Sequence, residues 1–163
     1  MIEVIERGLE PYRQRKLVKT LTQEGRQCFV TTHSPVVIAA AEFASLWYLD
    51  AAGNLGELKK NRIANQQARD PETFLSRVAV IAEGKTEVGF LSILLTAAFK
   101  GNPLDHGVRI CYGEGNENTL NLLQALSQAG LSFGGLVDNE DTFPDKWRVL
   151  KSSLGDRLCQ WEN

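Results

Sequence analysis

A chain of 163 residues, 43% apolar and 23% charged, has the composition of a globular protein: one ordinary domain or two small ones. Its net charge of −2 gives no global attraction to nucleic acid or to an anionic membrane, although a local basic face stays open. Cys28, Cys111 and Cys159 are odd in number, widely spaced and without a Cys-x-x-Cys pair, which argues against a disulfide framework or zinc knuckle and fits a reducing cytoplasm.

The N-terminus carries Glu3, Glu6 and Arg7 where a signal peptide would be basic and then apolar, and no run of about 18 apolar residues follows that could span a bilayer. In 10-EPYRQRKLVKTLTQEG-25, Pro11 suits a first helical turn, Leu17, Val18 and Leu21 make an apolar face, and Gly25 suits the stop. A short strand is expected in 27-QCFVTTHSP-35, then a helix over 35–43 capped by Ser34 with Pro35 at its first position. A strand over 46–50, a turn-rich stretch over 51–56 and a polar strand near 58–63 complete an α/β first half. The polar stretch from Asn65 to Glu72 reads as a connection, which places domain limits at 1–65 and 78–163 with a link over 66–77. Beyond it, strands over 78–82, 108–112 and 133–137 alternate with helices over about 86–100, 118–129 and 144–153, the pattern of a parallel sheet flanked by helices.

In such a sheet function gathers at the carboxyl ends of the strands. Each of the three ends in acid: Glu83, then Glu114 within Gly113-Glu114-Gly115, then Asp138-Asn139-Glu140-Asp141. Oxygen donors in this number, with no His or Cys beside them, suit Mg²⁺ or Mn²⁺ and not zinc. In 83-EGKTE-87, Gly84 is read as the tight turn, Thr86 as the helix cap, and Glu87 as a first-turn carboxylate aimed back at the rim that holds Glu83. In Asp138-x-Glu140 the alternation of an extended segment puts both carboxylates on one side. Each pair taken alone suits an ordinary strand-to-helix lead-in. Taken together, on neighbouring strands, they favour a metal site for phosphoryl chemistry.

A strand ending in Glu-Gly-x-Thr-Glu, a Gly-containing turn after the next strand and an Asp-x-Asp-like turn after a third resemble a Toprim domain, the fold shared by topoisomerases, primases and the OLD-family (overcoming lysogenization defect) nucleases. The resemblance covers about residues 76–163. It implies that Glu83 is the general acid or base or a metal ligand, that Asp138 holds divalent metal, and that Glu87 is a further ligand. Glu140 stands where the family usually has a second aspartate, and keeps a carboxylate there.

The order 2-IEVIERGLEP-11, helix, 27-QCFVTTHSPVVI-38 resembles the end of an ABC-type ATPase head, from the acidic Walker B strand to the switch histidine, with Glu3 and His33 as the nucleotide-site residues. Followed by a Toprim domain, this is the arrangement of OLD-family proteins. The chain has no Gly-x-x-x-x-Gly-Lys-Ser/Thr and no ABC signature segment before Glu3, and Val4 falls where the catalytic glutamate would be. ATP is therefore expected only in a longer form carrying the missing loop, and the chain is expected to be the C-terminal part of a longer protein or a gene fragment. The resemblance also implies further acidic and basic residues beyond Asn163.

Cations for DNA phosphates are available at Arg13, Arg15, Lys16 and Lys19, at Lys59, Lys60 and Arg62, and at Lys146, Arg148 and Lys151. The last group is favoured because it follows the acidic turn. The expectation is thus a partial ABC ATPase subdomain joined to a Toprim domain: a cytoplasmic, homo-oligomeric, Mg²⁺- or Mn²⁺-dependent DNA endonuclease with a role in phage defence. The alternatives are a non-catalytic scaffold, DNA-binding or dimerisation module, and a primase or topoisomerase piece. Tyr12, Tyr48 and Tyr112 carry no mark of a topoisomerase nucleophile.

Overall fold

The computed structural model describes residues 6–23, 27–138 and 143–160. At its centre four parallel strands run in the order β4-β3-β5-β6, where β3 is Val78–Ala82, β4 Val108–Tyr112, β5 Phe133–Val137 and β6 Leu158–Gln160. An antiparallel hairpin of β1 (Leu46–Leu49) and β2 (Leu55–Leu58) lies outside this sheet. The class expected from sequence, α/β with a mainly parallel sheet flanked by helices, is the class observed.

The alternation of the strands decides which face each residue meets. Ala79, Ile81, Cys111, Phe133 and Val137 point to one side, where α5 (Asn116–Ala129) and α6 (Pro144–Leu154) cover them in the main core. Val80, Ala82, Ile110 and Leu136 point to the other and meet α4 (Lys85–Phe99) through Val88 and Leu91. Helices on both faces are what a parallel sheet with right-handed crossovers requires.

The first part of the chain supplies α1 (Pro11–Gln23) and α2 (Pro35–Ala40), which pack on each other through Val18 and Val37. Ser34 caps α2 as expected, accepting from the Val37 N–H, and its own hydroxyl donates to Gln14 Oε1 at 2.6 Å. The short strand expected in 27–35 is reduced, among the described residues, to a single bridge at Val30.

The stretch read as a polar strand and then a connection is instead β2 followed by helix α3 (Lys60–Arg69) and a 3-10 turn over Pro71–Phe74. The apolar periodicity failed here because α3 buries Ile63 beside two amides, Gln66 and Gln67. Gln67 Nε2 donates to the carbonyls of Ile38 and Ala41, and Gln66 Nε2 to Thr73 Oγ1 at 2.6 Å, so the buried amides are satisfied. Ile38, Leu58, Ile63 and Phe74 join the same core as the sheet. At Gly56 the hairpin rests directly on α5, where a Cβ would fall on the Ala129 backbone. No helix among the described residues is long and apolar enough to cross a membrane.

Candidate active site

The strand order reverses at β3, which is followed by β4 on one side and then, after crossing back, by β5 on the other. A crevice outside the carboxyl ends of β3 and β5 is where an open parallel sheet binds its ligands. Glu83 directly follows β3 there and Asp138 directly follows β5. Glu83 is only 6% exposed, and its Oε2 accepts the Asp138 backbone N–H at 3.2 Å. The Glu83 N–H in turn donates to the Leu136 carbonyl at 3.2 Å, so the two acidic ends are joined by a pair of hydrogen bonds. Gln160 Nε2, from β6, donates to the Asp138 carbonyl at 3.4 Å.

Around 83-EGKTE-87 two local readings change. The residue that precedes α4 in the cap position is Gly84, and Thr86 is already inside the helix. Gly84 has φ −119°, which any residue adopts, so the glycine is not needed for the turn. It leaves space: a Cβ there would meet Glu87 Oε2 at 2.5 Å. The Glu87 carboxylate therefore folds back over Gly84 toward the strand tip, in the first turn of α4 where its charge is favourable.

The neighbouring turn is tied in by backbone. Gly113 N–H donates to the Ala82 carbonyl at 2.8 Å and Gly115 N–H to the Glu83 carbonyl at 3.1 Å. Between them Glu114 takes a left-handed φ of 60°, uncommon for a residue with a side chain, and forms an ion pair with Arg69 of α3. Trp147 Nε1 donates to Asn116 Oδ1 at 2.7 Å, which fastens the start of α6 to the start of α5.

Glu83, Glu87 and Asp138 are thus brought to one rim, while Glu3 and Glu140 lie outside the described residues. The donors are hard oxygens, right in kind for Mg²⁺ or Mn²⁺. Among the described residues no group of three or more His, Cys, Asp or Glu side chains closes into a metal-binding set, so these three do not make a complete shell by themselves. His33 belongs to another part of the molecule. It is exposed at the start of α2, and its backbone N–H and the Thr32 hydroxyl both donate to the Glu6 carboxylate at 2.8 Å. Desolvation raises the Glu6 pKa, but those hydrogen bonds outweigh it and leave the carboxyl below its ordinary value.

Of the basic residues favoured from sequence, Arg148 pairs with Asp145 at 3.3 Å, Lys146 lies over the Phe143 ring at 4.5 Å, and Lys151 is exposed. Sequence reasoning missed a half-open cleft of about 580 Å³ beside the acidic rim, lined by α3, the end of β4, the 113–115 turn and the start of α5. Lys85, between the two glutamates, reaches into it, and so does Tyr112. The signal available was the cation inside 83-EGKTE-87 together with Arg62 in the 59–62 basic group. Comparison with protein-family models gives no match, and comparison with curated proteins gives none either.

Proposed function

We propose that this chain carries a Toprim-type site of the OLD-family kind that hydrolyses DNA phosphodiester bonds with Mg²⁺ or Mn²⁺. The observation that carries the reading is the buried Glu83 carboxylate, at the reversal of strand order, accepting the Asp138 N–H. In this reading Glu87, Asp138 and Glu140 would hold the metal, which when bound offsets charge on the attacking and leaving oxygens. Glu83 handles the proton of the attacking water. Glu87 keeps its carboxylate over Gly84, next to that group. The Asp138 N–H fixes which way the Glu83 carboxylate faces.

Supercoiled plasmid incubated with the protein and Mg²⁺ or Mn²⁺ tests the reading. Wild type should nick, and Glu83→Ala and Asp138→Ala should each lower the rate by about 100-fold or more. Equal nicking by all three proteins overturns it.

A second reading, a non-catalytic module that works through dimerisation, is favoured by one observation. Helix α4 turns Phe90, Ile93 and Leu94 outward, and helices apolar on all sides are usually covered. Light scattering of the purified chain, with no nicking and a mass of two copies, would favour that reading over the first.

A further inference from the structure

The cleft beside the acidic rim has an uneven charge balance. Asp70 accepts from Arg109 Nε at 2.8 and 3.0 Å, a guanidinium that also pairs with Glu72, and Glu114 is occupied by Arg69, so each acid on its walls already has a cation partner. Two cations are left. Among the described residues the Arg62 side chain reaches only an amide oxygen, that of Gln128, at 3.4 Å, and Lys85 has no ion pair. An acidic chain thus presents a positive cleft next to its own carboxylates, which selects an anionic ligand. The walls are rich in asparagine, with Asn61 and Asn65 from α3 and Asn118 and Asn121 from α5, and at the end of β4 Tyr112 is 40% exposed.

Cations for phosphate, an aromatic face and carboxamides are the groups that hold an unpaired nucleotide strand. Apolar ligands are disfavoured by the same lining, and a half-open cleft lets a chain enter and leave. We propose that this cleft seats a single nucleic-acid strand, with phosphates on Arg62 and Lys85 and a base against Tyr112. Lys85 stands two residues from Glu83, and the 113–115 turn that floors the cleft is bonded to the carbonyls of Ala82 and Glu83. A strand seated there runs on to the acidic rim. The inference deepens the nuclease reading and rests on it for its purpose, but not for the binding itself.

The test is fluorescence anisotropy with a dye-labelled oligothymidylate of about 12 nucleotides, in EDTA, on the full chain. Arg62→Ala with Lys85→Ala should weaken binding at least about 10-fold and flatten the salt dependence by about 1.4 in log–log slope, two phosphates' worth. Tyr112→Leu should weaken it about 5-fold or more without changing that slope. Lys100→Asn, outside the cleft, should bind as wild type does, and circular dichroism confirms that each variant folds. Wild-type affinity in the cleft variants, or no strand binding by wild type, overturns the proposal. So does thymidine monophosphate competing as well as the oligonucleotide, since a free nucleotide is then the ligand. Cleft-dependent binding without nicking leaves this inference standing and removes the nuclease reading. Nicking that survives in the cleft variants at wild-type substrate affinity does the reverse.

Discussion

Helices α4 and α5 do the same topological work, each linking two parallel strands, and they meet the solvent in opposite ways. Helix α5 buries seven residues, from Thr119 to Ala129, on a stripe that faces the sheet, the hairpin and α6. Helix α4 is the more apolar of the two, yet Leu91 is its only buried residue. Apolar content alone therefore does not tell which helix is in the core; what lies over the helix does. One face of the sheet is roofed by α5 with α6 and the hairpin above it, and the other by a single layer.

Substituting the corresponding leucines measures this difference. Leu123→Ala, at 0% exposure on the inner side of α5, should cost about 3–5 kcal/mol in urea unfolding, because transfer and cavity terms add where nothing can collapse inward. Leu91→Ala, at 7% on the inner side of α4, should cost about 2 kcal/mol, since its surroundings can relax into the gap. Equal costs would break the comparison and put α4 in the core as firmly as α5.

Two cysteines on opposite faces sharpen it chemically. Cys111 lies at 0% exposure under α5, near Thr73 Oγ1 at 3.2 Å, and burial pushes its thiol from 9.0 up to about 12. Cys159 of β6 is exposed on the other side. A thiol reagent near neutral pH should titrate Cys159 and Cys28 quickly and Cys111 only after denaturation. The sign of the pH effect follows from the raised value. The neutral thiol is favoured by folding, so its contribution is intact below pH 9 and is lost progressively as pH climbs toward 12. Stability measured by urea unfolding should therefore fall less between pH 9 and 12 in Cys111→Ala than in wild type. The smallest effect belongs to Ile93→Ser on the open side of α4, 76% exposed, which should change stability by about 0.5 kcal/mol or less.

The parallel sheet was legible because β3, β4 and β5 are short apolar runs that each stop at a polar or glycine turn, with helices of ordinary length between them. Helix α3 was hidden because Gln66 and Gln67 take core positions, where amides bonded to the Thr73 hydroxyl and to the Ile38 and Ala41 carbonyls stand where leucines usually do. Strand β6 is only three residues long and has no pattern to read. At the rim, the clustering of Glu83, Glu87 and Asp138 followed from counting residues after each strand. The link between Glu83 and Asp138 did not, because it runs through a backbone N–H, which every residue has. The cleft was invisible for a related reason: Arg62, Lys85 and Tyr112 come from three separate elements, and no spacing in one dimension connects them.

The contact of Gly56 with Ala129 also constrains how such a chain can be rearranged. A recombination that replaced the segment before α3 while keeping α5 would have to bring a residue without a side chain to that one point, or the hairpin would be lifted off the helix. The two parts of the chain are therefore matched at this contact, keyed by a single hydrogen atom.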